Sequence, residues 1–300
     1  MEKRDFAVVE LGRWLRSKDY RFVCPTPVSH GLVNARPENA ETATLDGIFG
    51  WSRPFRPLSL PRPALDLMRA ADAVESDGDR LRCSLRFSTL GDLLLVHSAF
   101  PTTQQDAVFF GPDTYRFARV LRDIPMPRGR VLDVGCGSGA GGLALARRGP
   151  VDLVLSDINR RALRYSRINA ELNGLSVHIV ASDILRDIDG RFDLIVSNAP
   201  YLSYGPLYCN GGALGLDIPL RIAGQAIERL VPGGRLVLYT GAPVVTGLDR
   251  FFESVAPLLR GHAFSYEEID PDVFGEELAT PAYAEVDRIA AVALYLTKVE

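Results

Sequence analysis

Val131-Leu-Asp-Val-Gly-Cys-Gly-Ser-Gly-Ala-Gly-Gly-Leu-Ala-Leu-Ala146 is the stretch that decides the fold. It reads as a short buried strand, a glycine turn and a helix. Val131, Leu132 and Val134 supply the apolar run of a central parallel strand. Gly135, Gly137 and Gly139 let the backbone turn sharply and approach a ligand with no Cβ in the way. Leu143, Ala144 and Ala146 begin a small-residue helix that can pack closely on a sheet. A strand, glycine loop and helix in this order offer free backbone N–H groups to a nucleotide-like ligand.

The glycines alone leave two ligands open. Gly135-x-Gly137-x-x-Ala140 also fits a dinucleotide fingerprint, which keeps an NAD(P)-dependent oxidoreductase as an alternative. Asp133, at the strand end, favours the other ligand. Its carboxylate suits an ammonium better than a pyrophosphate. Cys136 lies within the same loop.

From Val131 onward, strands and helices alternate, as in a parallel sheet covered on both faces. Val151 to Ser156 reads as the second strand. Asp157 at its end can accept hydrogen bonds from ribose hydroxyls, with Ile158 beside it. Asn159 to Asn173 reads as a helix ended by Gly174. Its Arg160, Arg161, Arg164 and Arg167 read as a solvated face. Val177 to Ala181 reads as the third strand, followed by Ser182-Asp183-Ile184. There a carboxylate can accept an adenine amino group, with Ile184 against the ring.

The fourth strand, Phe192 to Ser197, runs into Asn198-Ala-Pro-Tyr201. The lone pair of a planar nitrogen is delocalised, so an amide or aromatic amine is a poor nucleophile. The Asn198 side-chain oxygen and the Ala199 carbonyl can each accept one of its N–H groups. The Tyr201 ring can hold the flat group in line with an incoming methyl. Pro200 keeps Ala199 extended.

These motifs together resemble class I S-adenosylmethionine-dependent methyltransferases over roughly residues 110 to 300. Asp133-x-Gly135-x-Gly137-x-Gly139 is similar to their first motif. Asn198-Ala-Pro-Tyr201 resembles the Asn-Pro-Pro-Tyr motif of enzymes that methylate planar nitrogen. Ala199 replaces its first proline and loses that residue's fixed φ. Gly211-Gly-Ala-Leu-Gly-Leu-Asp217 resembles a segment of the HemK-like protein methylases. The resemblance implies an α/β, Rossmann-like seven-stranded sheet with an antiparallel last strand. It implies S-adenosylmethionine as cofactor and no metal. It also implies that the helix before the first strand covers the cofactor, which makes Tyr115 a candidate contact. Asp113-Thr114 can cap that helix, which carries Tyr115, Phe117, Ala118, Val120 and Leu121.

Residues 1 to 110 differ in character. Asp5 to Lys18 and Pro63 to Val74 read as helices. Leu81 to Phe87 and Leu93 to Phe100 read as the strands of a half-buried hairpin. This predicts a smaller α+β, winged-helix-like accessory domain over 1–110 and a catalytic domain over 111–300. His30 and His97 in it read as packed residues rather than ligands.

Hydrophobic residues make up 47% and charged residues 24% of the 300-residue chain, ordinary values for a globular protein. No apolar run approaches the roughly 18 residues of a membrane span. The N-terminus lacks the apolar stretch of a signal peptide. The four cysteines, Cys24, Cys83, Cys136 and Cys209, are scattered, without metal-ligand or disulfide spacing. A cytoplasmic location is expected. The net charge of −3 provides no global basic field for nucleic acid. The expectation is therefore N-methylation of a protein side chain or a small metabolite, with nucleic acid ranked lower. A non-catalytic subunit of the same fold is the remaining alternative.

Overall fold

A computed structural model describes residues 1–127 and 129–299. The chain opens with helices α1 (Lys3–Arg16), α2 (Pro27–Asn34), α3 (Leu45–Phe49) and α4 (Arg62–Ala70). The starts of α2 and α3 are fixed locally. The Thr26 hydroxyl accepts the Ser29 N–H and the Thr44 hydroxyl accepts the Gly47 N–H. Two antiparallel hairpins follow, β1 (Val74–Asp77) with β2 (Arg80–Cys83), and β3 (Leu85–Leu90) with β4 (Leu93–Ser98).

The expected single strand from Leu81 to Phe87 is thus split between two hairpins. The second hairpin is not half-buried. Every residue of β4 is buried, so the hairpin lies in the interior and does not project as a wing.

The remaining elements alternate. They are α5 (Pro112–Arg122), β5 (Arg130–Val134), α6 (Ala140–Ala146), β6 (Asp152–Asp157), α7 (Arg160–Leu172), β7 (His178–Ala181), β8 (Phe192–Asn198), α8 (Asp217–Arg229), β9 (Leu230–Val245), β10 (Leu248–Asp249), α9 (Arg250–Leu259), β11 (Ala263–Asp270) and β12 (Arg288–Thr297). Seven strands lie in the order β11-β12-β9-β8-β5-β6-β7, with β10 folded back on β9. The run from β9 through β7 is parallel. The last strand, β12, is antiparallel to both of its neighbours. This is the expected Rossmann-like sheet, with the smaller N-terminal elements beside it. Strand order reverses at β5, which opens a crevice at the C-terminal ends of β5 and β8.

Helix α7 joins the two parts. Its Asn169 side chain accepts the Val96 N–H at 2.7 Å and donates to the Val96 carbonyl at 3.0 Å. Asn173 does the same for Leu94, at 3.2 and 2.9 Å. The two amides stand in for a neighbouring strand along the buried edge of β4. Gly12 of α1 lets α7 come close, since a Cβ there would lie 2.6 Å from Leu172 Cδ2. The arginines of α7 are not simply a solvated face. Arg164 bonds the mostly buried Asp5 at 2.6 Å and Arg161 bonds Gln104 at 2.7 Å.

Candidate active site

The glycine loop after β5 takes the left-handed conformation three times, with φ of +65° at Gly135, +55° at Gly137 and +79° at Gly139. It is pinned from behind. The Cys136 N–H bonds the Ser156 carbonyl at 2.9 Å and the Ser166 hydroxyl bonds the Gly137 carbonyl at 2.9 Å. A Cβ built on Gly135 or Gly137 would meet no protein atom within 4 Å. The space in front of the loop is open to a ligand. Gly142 serves packing, because a Cβ there would lie 2.5 Å from Leu155.

Asp133 is 1% exposed and its Oδ2 accepts the Gly142 N–H at 2.7 Å. No arginine or lysine pairs with it among the described residues. Burial pushes its carboxyl up to about 7. A buried acid that lacks a cation, next to an open glycine loop, fits the ammonium of an amino-acid tail. Asp157 accepts the Gly137 N–H at 2.9 Å and the Asn159 N–H at 2.8 Å. Burial raises its carboxyl and these bonds oppose the rise.

Ile158 is 59% exposed and forms an apolar lip. The Ser182 hydroxyl accepts the Asp187 N–H at 3.1 Å, which holds the turn after β7. Ile184 has a φ of +57°, a costly value for a β-branched residue. Asp183 faces the same space but is held by Arg221 at 3.1 Å and Arg186 at 3.3 Å. Asp133, Gly135, Cys136, Gly137, Asp157, Ile158 and the turn 182–184 line one cleft of about 450 Å³, a normal size for a small-molecule site. Gly139, expected beside them, does not line it: a Cβ there would face Leu155 and Ser166 at 3.2 Å.

Of the four residues expected on the acceptor side, Asn198 and Pro200 line this cleft. Ala199 and Tyr201 do not. Ala199 is 1% exposed, and its N–H bonds the Tyr239 carbonyl at 3.1 Å. The Tyr201 hydroxyl donates to Asp113 Oδ2 at 2.5 Å and its ring packs beside Gly241 and Phe274. Asp113 was expected to cap α5. Gly111 occupies that position, and the Asp113 carboxylate is buried. It also accepts the Tyr239 hydroxyl and Arg116, each at 3.0 Å. Arg116 in turn reaches Asp270 at 2.8 Å. The glycines after the motif have a packing reason. A Cβ on Gly211 or Gly215 would collide with the Pro200 or Tyr201 carbonyl.

Tyr115 also departs from expectation. Its hydroxyl accepts the Cys24 N–H at 3.0 Å, toward the N-terminal elements. The helix phase presents Thr114 and Phe117 to the cleft instead. Phe109, Tyr208 and Arg221 line the cleft as well, and no motif in the sequence marks them.

The methyltransferase small domain family matches residues 114–266, half of the chain. The chain belongs to the methyltransferase small domain family. It has the class I fold and is an S-adenosylmethionine-dependent methyltransferase. The dinucleotide alternative falls with that membership. Among solved structures, Trm5b from Pyrococcus abyssi aligns at a TM-score of 0.53 and 16% identity, over 81% of this chain and 68% of that one. Methanocaldococcus jannaschii Trm5 in complex with adenosine aligns at 0.50 and 16%, over 72% and 55%. These likenesses concern the fold.

A curated relative from Hamiltonella defensa is 38% identical over 137 residues, which is 43% of this chain and 37% of that protein. One from Salmonella arizonae is 36% identical over 131 residues, again 43% of this chain and 36% of that protein. Both are named ribosomal RNA small subunit methyltransferase C. The chain thus spans just over a third of their length. Their name overturns the expected protein or metabolite acceptor. That expectation leaned on a net charge of −3. A net charge is a sum over the whole surface and does not describe the field at one cleft.

Proposed function

We propose that this enzyme methylates an amino nitrogen of an RNA base, with small-subunit ribosomal RNA as the substrate. The observation that carries the reading is Asn198. It stands at the C-terminal end of β8, open to the same cleft as Asp133 and the glycine loop. The planar-nitrogen motif supports the chemistry, and the name shared by the curated relatives supports the substrate.

Bound S-adenosylmethionine supplies an electrophilic methyl group. Asp133 holds the ammonium of its tail. Asp157 takes the ribose hydroxyls, while Asp183, Ser182 and Ile184 border the adenine. The Asn198 Oδ1 accepts an N–H group of the target amine. That fixes the nitrogen and helps its lone pair leave conjugation with the ring. Asn198 is no base, so the proton lost after transfer goes to water. Alignment provides most of the rate. Residues 1–110 act as the recognition unit beside a catalytic unit over 111–300, in the cytoplasm where ribosomal RNA is found.

The test offers purified full-length protein methyl-labelled S-adenosylmethionine and separated cell fractions: small-subunit RNA, other RNA, protein and small molecules. Nuclease digestion and mass spectrometry then locate the label. An N-methylated nucleoside from small-subunit RNA is expected. Label confined to protein or to small molecules overturns the reading.

A further inference from the structure

The wall expected to hold the flat acceptor is absent from the cleft, because Asp113 and Tyr239 draw Tyr201 into the core. Two other aromatic rings face the space that Asn198 faces. Phe109 and Tyr208 lie parallel, with centroids 5.2 Å apart and 7° between their planes. Both are only half-buried and both line the cleft.

Each ring has its own mount. Phe109 folds over Gly111, where a Cβ would lie 2.8 Å from its Cε1. Tyr208 rides on a strap from 202 to 210 that borders the cleft with Leu207, Tyr208 and Asn210. The strap is latched to the segment before Phe109. The Leu207 N–H bonds the Gln105 carbonyl at 3.2 Å and the Tyr208 hydroxyl bonds the Thr102 carbonyl at 3.2 Å. Its ends are held, with Leu202 buried and the Ser203 N–H donating to the Tyr283 hydroxyl at 3.0 Å, but Tyr204, Gly205 and Leu207 between them are exposed. Such a stack faces solvent on one side and a reaction site on the other. It can open by moving a short strap rather than a core element.

We infer that Phe109 and Tyr208 form the clamp that receives the target base. The rings part, the base enters between their faces, and its amine comes to Asn198. Stacking grips any planar base, and the position of Asn198 selects one that carries an amino group. The Tyr208 hydroxyl serves the latch and the ring serves the base. This rests on the RNA-base reading for its substrate class, while the clamp itself concerns any planar acceptor.

Two measurements on the full chain test it. The first titrates 2-aminopurine riboside, whose fluorescence is quenched by stacking, into protein saturated with S-adenosylhomocysteine. Saturation closes the cofactor's own adenosine position. Wild type quenches the probe. Phe109→Leu and Tyr208→Leu keep apolar bulk but remove the flat faces, and they do not quench. Phe109→Tyr and Tyr208→Phe keep the faces and do. The second follows methyl transfer to small-subunit RNA. The KM for RNA rises about tenfold or more in each leucine variant, while S-adenosylmethionine affinity stays within about twofold of wild type.

Quenching that survives both leucine substitutions, or is absent in wild type, overturns the clamp. So does an unchanged KM in variants of an enzyme that methylates RNA. Quenching that depends on both rings, in a protein that labels no RNA, upholds the clamp and overturns the RNA reading.

Discussion

The two walls of the cleft are built in different ways. The cofactor wall is made of strand ends and the turns that follow them: 133–142, 157–158 and 182–184. Each piece is continuous in sequence. Its shape is held by backbone conformation, such as the positive φ at three glycines and at Ile184. The acceptor side gathers residues far apart in the chain. Phe109 and Tyr208 line it, and behind it, out of the cleft, Tyr201 meets Asp113 across 88 positions and Tyr239 meets it across 126. Its shape is held by side-chain hydrogen bonds and one aromatic stack. A wall made by backbone is encoded locally. A wall made by side chains exists only after the sheet has formed.

The sharpest way to break this division is Asn198→Ala. The cofactor wall is untouched, so S-adenosylmethionine affinity by calorimetry holds. Methyl transfer falls about 100-fold or more, the cost of losing alignment at the reacting nitrogen. A parallel loss of cofactor affinity would mean that the two walls are one unit.

Asp133→Asn attacks the other side. Losing the charged partner of the ammonium weakens S-adenosylmethionine binding about 10- to 100-fold. The pH dependence gives a second reading. Burial holds Asp133 at about 7, and the cationic tail binds its ionised form. Affinity therefore falls as pH drops below about 7, toward tenfold per pH unit, and the Asn variant loses that slope. The free protein behaves in the opposite sense. Its folded state keeps a proton that the unfolded chain gives up near pH 4, so this group's contribution to stability declines from about 4 to about 7 as pH rises. Calorimetric affinity and thermal melts across pH 5 to 8 check both signs.

The same contrast explains what could be read from the sequence. The glycine spacing, Asp133, Asp157 and the turn at Asp183 were legible because a strand end followed by a turn places its residues without help from elsewhere. The parallel part of the sheet was legible from alternating apolar runs, whereas the antiparallel last strand followed from the resemblance to methyltransferases. Tyr201 was misread because its neighbour in space, Asp113, looked like a helix cap in the chain. Tyr115 was misread by one helical position, which is enough to turn a side chain to another face. Phe109 and Tyr208 carry no motif, since stacking asks only for a ring. The burial of β4 was hidden too. Its edge is satisfied by Asn169 and Asn173, two amides on a helix far along the chain.

Tyr201→Phe tests whether the acceptor wall depends on its latch. The substitution keeps the ring and removes the shorter of the two tyrosine bonds to Asp113, leaving a buried carboxylate with Tyr239 and Arg116. The loss in unfolding free energy is about 1.5–3 kcal/mol, the range for a hydrogen bond to a charged group. Urea denaturation measures it. At a temperature where the variant is fully folded, methyl transfer is slower while S-adenosylmethionine affinity is kept. Unchanged turnover would show that Pro200 and the glycines at 211 and 215 hold the loop without the tyrosine.

The smallest effect concerns the junction behind both walls. Arg164 is partly exposed, whereas Asp5 has a side chain only 8% accessible. Their bond ties α1 to α7, the helix whose amides also edge β4. Asp5 receives a second bond from the Glu2 N–H at 3.2 Å, so Arg164→Ala does not leave it without a donor. The cost is therefore near the top of the range for a surface pair, about 1 kcal/mol, and smaller in high salt. Urea denaturation at low and high ionic strength reads this directly. Methyl transfer to RNA by the folded variant is expected to match wild type, because Gly12 and the Asn169 and Asn173 bonds still fix α7 against the N-terminal elements. A drop in RNA turnover with normal S-adenosylmethionine affinity would mean that the placement of α1 on α7 reaches the acceptor wall, and that the N-terminal elements take part in presenting the base.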